Sequence, residues 1–268
     1  MKYGFIGTGC MGGALATACA KAIGPENILL SNRSPEKAQA LAEKLGAIPA
    51  GNETITRDCD VIFLGVKPQT MAQMLLPLQP ILTGRRTPFV LVSMAAGVTI
   101  EALQDMAGGR YPVVRIMPNT ACAVGAGMTT YTCSAEVTDR QRQAVLDALA
   151  ASGLLEEIEE GLMGAASAVA GCGGAYACLF LEGLADGGVL CGLPRKKAQR
   201  MAAQMLLGMA TQALESDEHT GALKDAVCSP AGSTIAGIRK LESMSFRSAA
   251  MEAVIAAWER EREMQQQK

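Results

Sequence analysis

The 268-residue chain predicts an α/β domain on a doubly wound, mostly parallel sheet, followed by an all-α domain. Three observations carry that prediction. Short β-branched runs alternate with helical patterns through the first 160 residues. The strand signal then stops near Gly161, and a glycine-rich turn joins the first strand to the first helix. At ~150 residues per domain the length suits two domains, here 1–160 and 161–268.

Strands are predicted at 3–7, 27–31, 61–66, 89–93, 113–117, 128–133 and 154–158. Between them, Ser34 and Pro35 supply an N-cap and an N1 proline with Glu36 behind, and Thr138-Asp139 opens a helix reaching Leu149. This β-α-β alternation predicts helices on both faces of the sheet. Past Gly161 the pattern predicts helices at 162–170, 174–191, 195–215, 232–242 and 246–265. Met201, Met205 and Met209 fall on one face and read as a core stripe. The last helix is predicted to bury Phe246, Ala250, Val254 and Trp258 along one side before a charged, glutamine-rich tail. Gly171, Gly173, Gly174, Gly183, Gly187 and Gly188 either mark loops or permit close backbone approach between chains. A helical part so rich in small residues cannot easily wrap a private core, which predicts packing against a second copy. The run from Leu162 to Leu181 carries no charge over twenty residues, long enough for a bilayer. Ten of the twenty are Gly or Ala, and Glu182 and Asp186 follow, so it reads as a tightly packed helix of a soluble core.

Composition narrows the function. Hydrophobic residues at 49% and charged residues at 19% exclude a disordered chain. The net charge of −2 is evenly spread: 1–160 holds 13 basic and 15 acidic residues, 161–268 holds 11 of each. With no basic run longer than Arg195-Lys196-Lys197 and only 4% aromatics, nucleic-acid binding is not expected. Nine cysteines form no CxxC pair and are odd in number, the pattern of reduced, packed thiols in a cytoplasmic protein. The single histidine, His219, excludes any metal site that needs two, and reads as structural. The first strand begins at Tyr3 without a basic leader, so no secretory signal is read and no membrane partner is expected.

Residues suited to chemistry fall into two groups. Ile6 ends the first strand, and Gly7-Thr8-Gly9-Cys10-Met11-Gly12 leads into the first helix. Gly7 permits a tight turn, Gly9 lets backbone N–H groups approach a pyrophosphate, and Gly12 allows close packing of helix on strand. This is the fingerprint of a Rossmann-type dinucleotide site, with phosphates at the helix N-terminus. At the end of the second strand Asn32, Arg33 and Ser34 stand where an NAD-selective site usually has an acid. A guanidinium and neutral donors suit a 2′-phosphate and predict NADP, unless Arg33 is only a solvated turn residue. Val66-Lys67-Pro68 and Ala95-Ala96-Gly97 follow apolar strands at the edge where ligands bind in such sheets. Lys67 suits ribose or phosphate, and the small side chains of Ala95 and Ala96 suit a flat nicotinamide. Arg115-Ile116-Met117-Pro118-Asn119-Thr120 turns out toward the same edge. The second group is far away. Pro230 and Gly232 make a turn opening a helix, and the N–H groups of Gly232, Ser233 and Thr234 with the Ser229 and Thr234 hydroxyls could cradle a carboxylate. A helix merely capped by Ser229 reads as readily.

Together FIGTGCMGGA, VKPQ, SMAAGVT, RIMPNTACAVGAGMT, GLPR, HTGALKDAVCSPAGSTIAGIRKLE and SFRSAAMEA resemble the pyrroline-5-carboxylate reductase family over essentially the whole chain. The resemblance implies NAD(P)H-dependent reduction of Δ1-pyrroline-5-carboxylate to L-proline, the last step of proline biosynthesis. It implies a dimerisation domain of the 6-phosphogluconate-dehydrogenase C-terminal type, an active site between the domains fed by both subunits, and rings of dimers. It also implies that Ser229 to Thr234 binds the substrate carboxylate, that the Thr234 hydroxyl is the catalytic contact to the ring nitrogen, and that Asn52 contacts the nucleotide. The chain departs from the family pattern at Ala170 and Gly174 before Tyr176, and at Ala231 and Ser233 in the turn. Two alternatives therefore stay open: a reductase of another small imine such as a piperideine carboxylate, and a non-catalytic dinucleotide-binding protein.

Overall fold

A computed structural model describes residues 1–266. Eight strands form one sheet: β1 (Tyr3–Ile6), β2 (Ile28–Ser31), β3 (Ile48–Pro49), β4 (Val61–Leu64), β5 (Val90–Ser93), β6 (Val113–Met117), β7 (Gly127–Cys133) and β8 (Gly153–Glu157). The order is β3-β2-β1-β4-β5-β6-β7-β8, parallel except where β7 runs antiparallel to β6. All seven predicted strands are present. The unpredicted β3 is two exposed residues at the edge, too short and proline-bearing to read locally.

Helices α1 (Cys10–Ile23), α2 (Pro35–Leu45), α3 (Asn52–Asp58), α4 (Pro68–Leu75), α5 (Gln79–Gly84), α6 (Ile100–Ala107) and α7 (Asp139–Leu149) cover the two faces. Covering both faces buries β1, β2, β4, β5 and β6 at every position, so their sequences are apolar runs rather than alternations. One core layer gathers Phe5, Leu15, Leu30, Phe63 and Val92; the other gathers Ile6, Ile62, Leu64, Met71 and Leu91. The Phe5 and Phe63 rings stack across paired strands at 4.3 Å. Thr138 opens α7 with a full capping box to Gln141. Ser34 occupies the N-cap of α2, but its side chain makes no capping bond.

The described chain forms two compact units: Met1–Cys172 joined by the chain from Ala257 onward, and Gly173–Ala256. In the first, α8 (Met163–Ala166) passes into a π-helical turn at Ser167–Gly171. There the Ser167 hydroxyl donates to buried Glu261 at 2.5 Å, and Asn119 donates to the Ala170 carbonyl at 3.0 Å. Arg115 is buried and paired with Glu160 at 3.1 Å, so it serves the fold. The second unit contains α9 (Gly173–Leu190), α10 (Arg195–Glu215), α11 (Thr220–Ala226), α12 (Ser233–Ser243) and most of α13 (Phe246–Gln266). The predicted tail ends at Gln267 and Lys268, outside the described residues.

The helical part corrects several expectations. Met201 is 57% and Met205 45% exposed, while Ala198 and Ala202 are the buried positions of α10. The methionine stripe is therefore not a core within one chain. Along α13, Phe246, Ala250 and Trp258 are exposed and Val254 is half-buried. The run from Glu160 to Leu190 contains an 18-residue stretch of mean hydropathy 1.5, long and apolar enough to cross a membrane, and only 11% of that stretch is buried. It is not the tightly packed core helix the composition suggested, at least inside a single chain. The glycines do not mark loops: Gly173, Gly174, Gly183, Gly187 and Gly188 all lie within α9. Gly188 alone of these packs in its own chain, where a Cβ would stand 3.2 Å from Ala198.

Candidate active site

The parallel strands aim their C-terminal ends at one edge, and the first group of candidate residues collects there. Ile6 is the last, buried residue of β1. Gly7 has φ +100°, a conformation that favours glycine, and its N–H donates to Ser31 O at 2.9 Å. A Cβ on Gly12 would lie 2.1 Å from the Gly7 carbonyl oxygen, so α1 can approach β1 only without a side chain there. A glycine that the sequence reading missed completes this contact. Gly65, at the end of β4, would place a Cβ 2.3 Å from the same oxygen. Its only sequence signal is its place between an apolar strand and Val66-Lys67-Pro68.

Gly9 is the N-cap of α1 and faces open space, with no atom within 4 Å of an added Cβ. No side chain caps α1, and Cys10 is exposed in its first turn, followed by half-buried Met11. The helix therefore begins with uncapped amides and a partial positive charge beside unobstructed backbone. Around this start the side chains are tied together. Asn32 donates to the Thr8 hydroxyl at 3.0 Å and accepts from Ser34 N–H at 3.3 Å. Ser31, at the end of β2, donates to Asn52 at 2.5 Å, anchoring the first residue of α3 to the same edge.

Beside the end of β2 lies an open cleft of about 550 Å³ lined by Ser31, Asn32, Pro35, Glu36, Ala50 and Gly51 among others. Arg33 is exposed next to it and, among the described residues, enters no ion pair. Exposed Lys67 is the N-cap of α4, with Pro68 at N1 after half-buried Val66. Ala95 is buried and Ala96 half-buried beyond β5, and Gly97 turns the chain at φ +70°. One edge thus brings together every candidate from Ile6 to Ala96.

The second group lies in the helical unit. The His219 imidazole caps α11 by accepting from Gly221 N–H at 3.0 Å, the structural role read from sequence. Lys224 hydrogen-bonds Asp225, which holds its ammonium above the ordinary lysine range. The chain then turns through Ser229-Pro230-Ala231-Gly232, closed by Gly232 N–H to Ser229 O at 3.0 Å, with Ala231 at φ 57°. This is a type II turn. Because its N–H closes the turn, Gly232 is not the free donor that was expected. It is instead the place where a side chain would collide with Ser229 Oγ, at 2.4 Å. Nor is Ser229 the cap: Gly232 holds the N-cap of α12, and no side chain bonds the helix start. The remaining first-turn amides belong to exposed Ser233 and Thr234 and to the residue behind them.

Comparisons with known proteins agree along the whole chain. A family model described as pyrroline-5-carboxylate reductase dimerisation matches residues 160–264, and one described as NADP oxidoreductase, coenzyme F420-dependent, matches residues 2–97. The chain is 40% identical over 266 residues to the pyrroline-5-carboxylate reductase of Methanosarcina acetivorans, covering 98% of this chain and 97% of that one. Against the Escherichia coli pyrroline-5-carboxylate reductase it is 38% identical over 262 residues, covering 97% and 96%. Among solved structures, Plasmodium falciparum pyrroline carboxylate reductase with NADP bound superposes with TM-score 0.87 at 34% identity, over 99% of this chain and 98% of that one. The Coxiella burnetii pyrroline-5-carboxylate reductase gives TM-score 0.89 at 30% identity, over 98% and 97%. With relatives this similar over nearly their full length, the chain belongs to the pyrroline-5-carboxylate reductase family.

Proposed function

We infer that the chain reduces Δ1-pyrroline-5-carboxylate to L-proline with NAD(P)H, the final step of proline biosynthesis. One observation carries the reading: Gly7, Gly12 and Gly65 close around a single carbonyl oxygen and leave the start of α1 open in front of a bare Gly9. That shape fits a pyrophosphate, which needs backbone amides and no intruding side chain. Thr8, Asn32, Asn52 and Lys67 would hold the ribose and phosphates, and Ala95 and Ala96 would lie against the nicotinamide. When bound, the reduced nicotinamide supplies a hydride to the imine carbon. The chain supplies position. The first-turn amides of α12, Ser233 and Thr234 among them, with the Ser229 hydroxyl, hold the carboxylate, and the Thr234 hydroxyl hydrogen-bonds the ring nitrogen. A cyclic imine can arrive already protonated, so the residues need only orient it, a contribution of roughly 7 kcal/mol in well-oriented cases.

NADPH is the preferred donor in this reading, because exposed Arg33 suits a 2′-phosphate and the nearest acid, Glu36, stands one turn further on. The boundary near residue 160 separates a nucleotide-binding domain from a helical domain that dimerises and carries the Ser229–Thr234 turn. Dimers, assembled further into rings, cover the apolar helical surface in the cytoplasm. Initial rates of NADPH and NADH loss with synthetic pyrroline-5-carboxylate and with its six-membered homologue test the reading. Faster turnover of the larger ring assigns another substrate, and no turnover of either ring leaves a dinucleotide-binding protein.

A further inference from the structure

Among the described residues ten have a left-handed φ, and eight of them are glycines. The other two, Ala231 at 57° and Ser245 at 58°, stand two residues before and two residues after α12. Glycine occupies every other position where the fold needs this conformation, while the helix that would receive the substrate is bounded by strained residues at both ends. Ala231 sits at the position of the type II turn that demands positive φ, where an L side chain carries a steric cost glycine does not. Strain of this kind persists only where neighbours over-determine it. Here Ser229, Pro230 and Ala231 are all exposed, and one backbone bond, Gly232 N–H to Ser229 O at 3.0 Å, closes the turn.

We propose that Ala231 is a positioning residue that limits how tightly the turn holds the substrate carboxylate. This rests on the assignment of the Ser229–Thr234 turn to the substrate. In the free chain the strained turn exchanges with a relaxed form, and a carboxylate on the amides of Ser233 and Thr234 selects the closed one. Apparent affinity is then the intrinsic affinity reduced by the closed fraction. The product carries the same carboxylate, so the same strain speeds its release.

The test combines initial-rate kinetics on the imine with peptide hydrogen exchange over residues 228–236, for the wild type, A231G, A231V and S245G. A231G should slow exchange in the unliganded turn and lower the imine KM and the L-proline inhibition constant about fivefold, with no matching rise in kcat. A231V should move KM the other way. S245G relieves the same kind of strain at the far end of α12 and should raise thermal stability without changing KM. An unchanged KM for A231G despite slower exchange, or an equal KM shift from S245G, overturns the proposal. A wild-type chain without imine turnover whose A231G variant still shows slowed exchange refutes the assigned reaction while upholding the strained turn.

Discussion

The two units solve the burial problem differently. In the sheet unit Phe5, Phe63, Leu15, Leu30 and Val92 are all fully buried, and the layers on both faces close within the chain. Between Gly173 and Ala256 the buried apolar residues are Ala185, Ala198, Ala202 and Leu223, while Leu179, Leu190 and Leu214 are 72%, 89% and 75% exposed. A soluble monomer rarely leaves that much apolar surface open. The contrast teaches that the sheet unit closes its core within one chain, whereas the helical unit leaves apolar surface for a second one to cover. The dimerisation model that matches 160–264 says of which kind.

The sharpest way to break this contrast is to charge the exposed stripe of α10. Met201→Glu with Met205→Glu should lower the mass seen in sedimentation to that of a monomer and abolish activity, because it puts charge on an apolar face that a second copy would cover. Retention of an active oligomer would place the interface elsewhere. In the sheet unit the comparable lesion is a single methyl. Gly12→Ala forces an atom against the Gly7 carbonyl and should cost about 2–3 kcal/mol, near a hundredfold in nucleotide Kd by calorimetry.

Thr234→Ala should lower kcat on the imine by at least about tenfold with nucleotide Kd nearly unchanged, since in the proposed site it removes one hydrogen bond to the ring. A fully active variant would take Thr234 out of the site. Arg33→Ala should raise the KM for NADPH by about tenfold and leave that for NADH within about twofold. Equal effects on both would mean that Arg33 does not read the 2′-phosphate.

The smallest effect concerns pH and the sheet unit alone. Burial pushes the Cys59 thiol up to about 12 and that of Cys133 to about 11. Both stay protonated in the folded chain above pH 9.0, where the unfolded thiols ionise. Their contribution to stability is therefore complete below pH 9.0 and declines as pH rises toward 11 and 12. Denaturant midpoints should be flat from about pH 7 to 8.5 and fall above that range. Replacing both cysteines by alanine should make that fall shallower, and what remains comes chiefly from Cys19, whose buried thiol is also pushed up.

Much of the sheet unit was legible because its signals are local. A strand buried on two faces reads as an apolar run, and a left-handed turn reads as glycine, as at Gly7 and Gly97. The roles of Gly65 and Asn52 were less legible. Each depends on strands far apart in sequence meeting side by side: Gly65 against Gly7, and Asn52 under Ser31. The methionine stripe and the apolar side of α13 read as buried from their periodicity but are largely exposed in the chain, because periodicity cannot say whether such a face meets its own chain or another.

In the turn before α12, the residues Pro230 and Gly232 announced a bend, but the use of the amides did not follow from them. Whether Gly232 N–H points to a ligand or back to Ser229 O depends on φ and ψ, and an alanine at positive φ contradicts the ordinary preference of its residue type. Sequence alone determined the strand runs, the glycine loop and the helix-rich second half, because each follows from the shape and polarity of neighbouring residues. Only the tertiary structure decided which glycines touch, which donors remain free and which apolar faces stay open, because those depend on distances between segments that no local preference encodes.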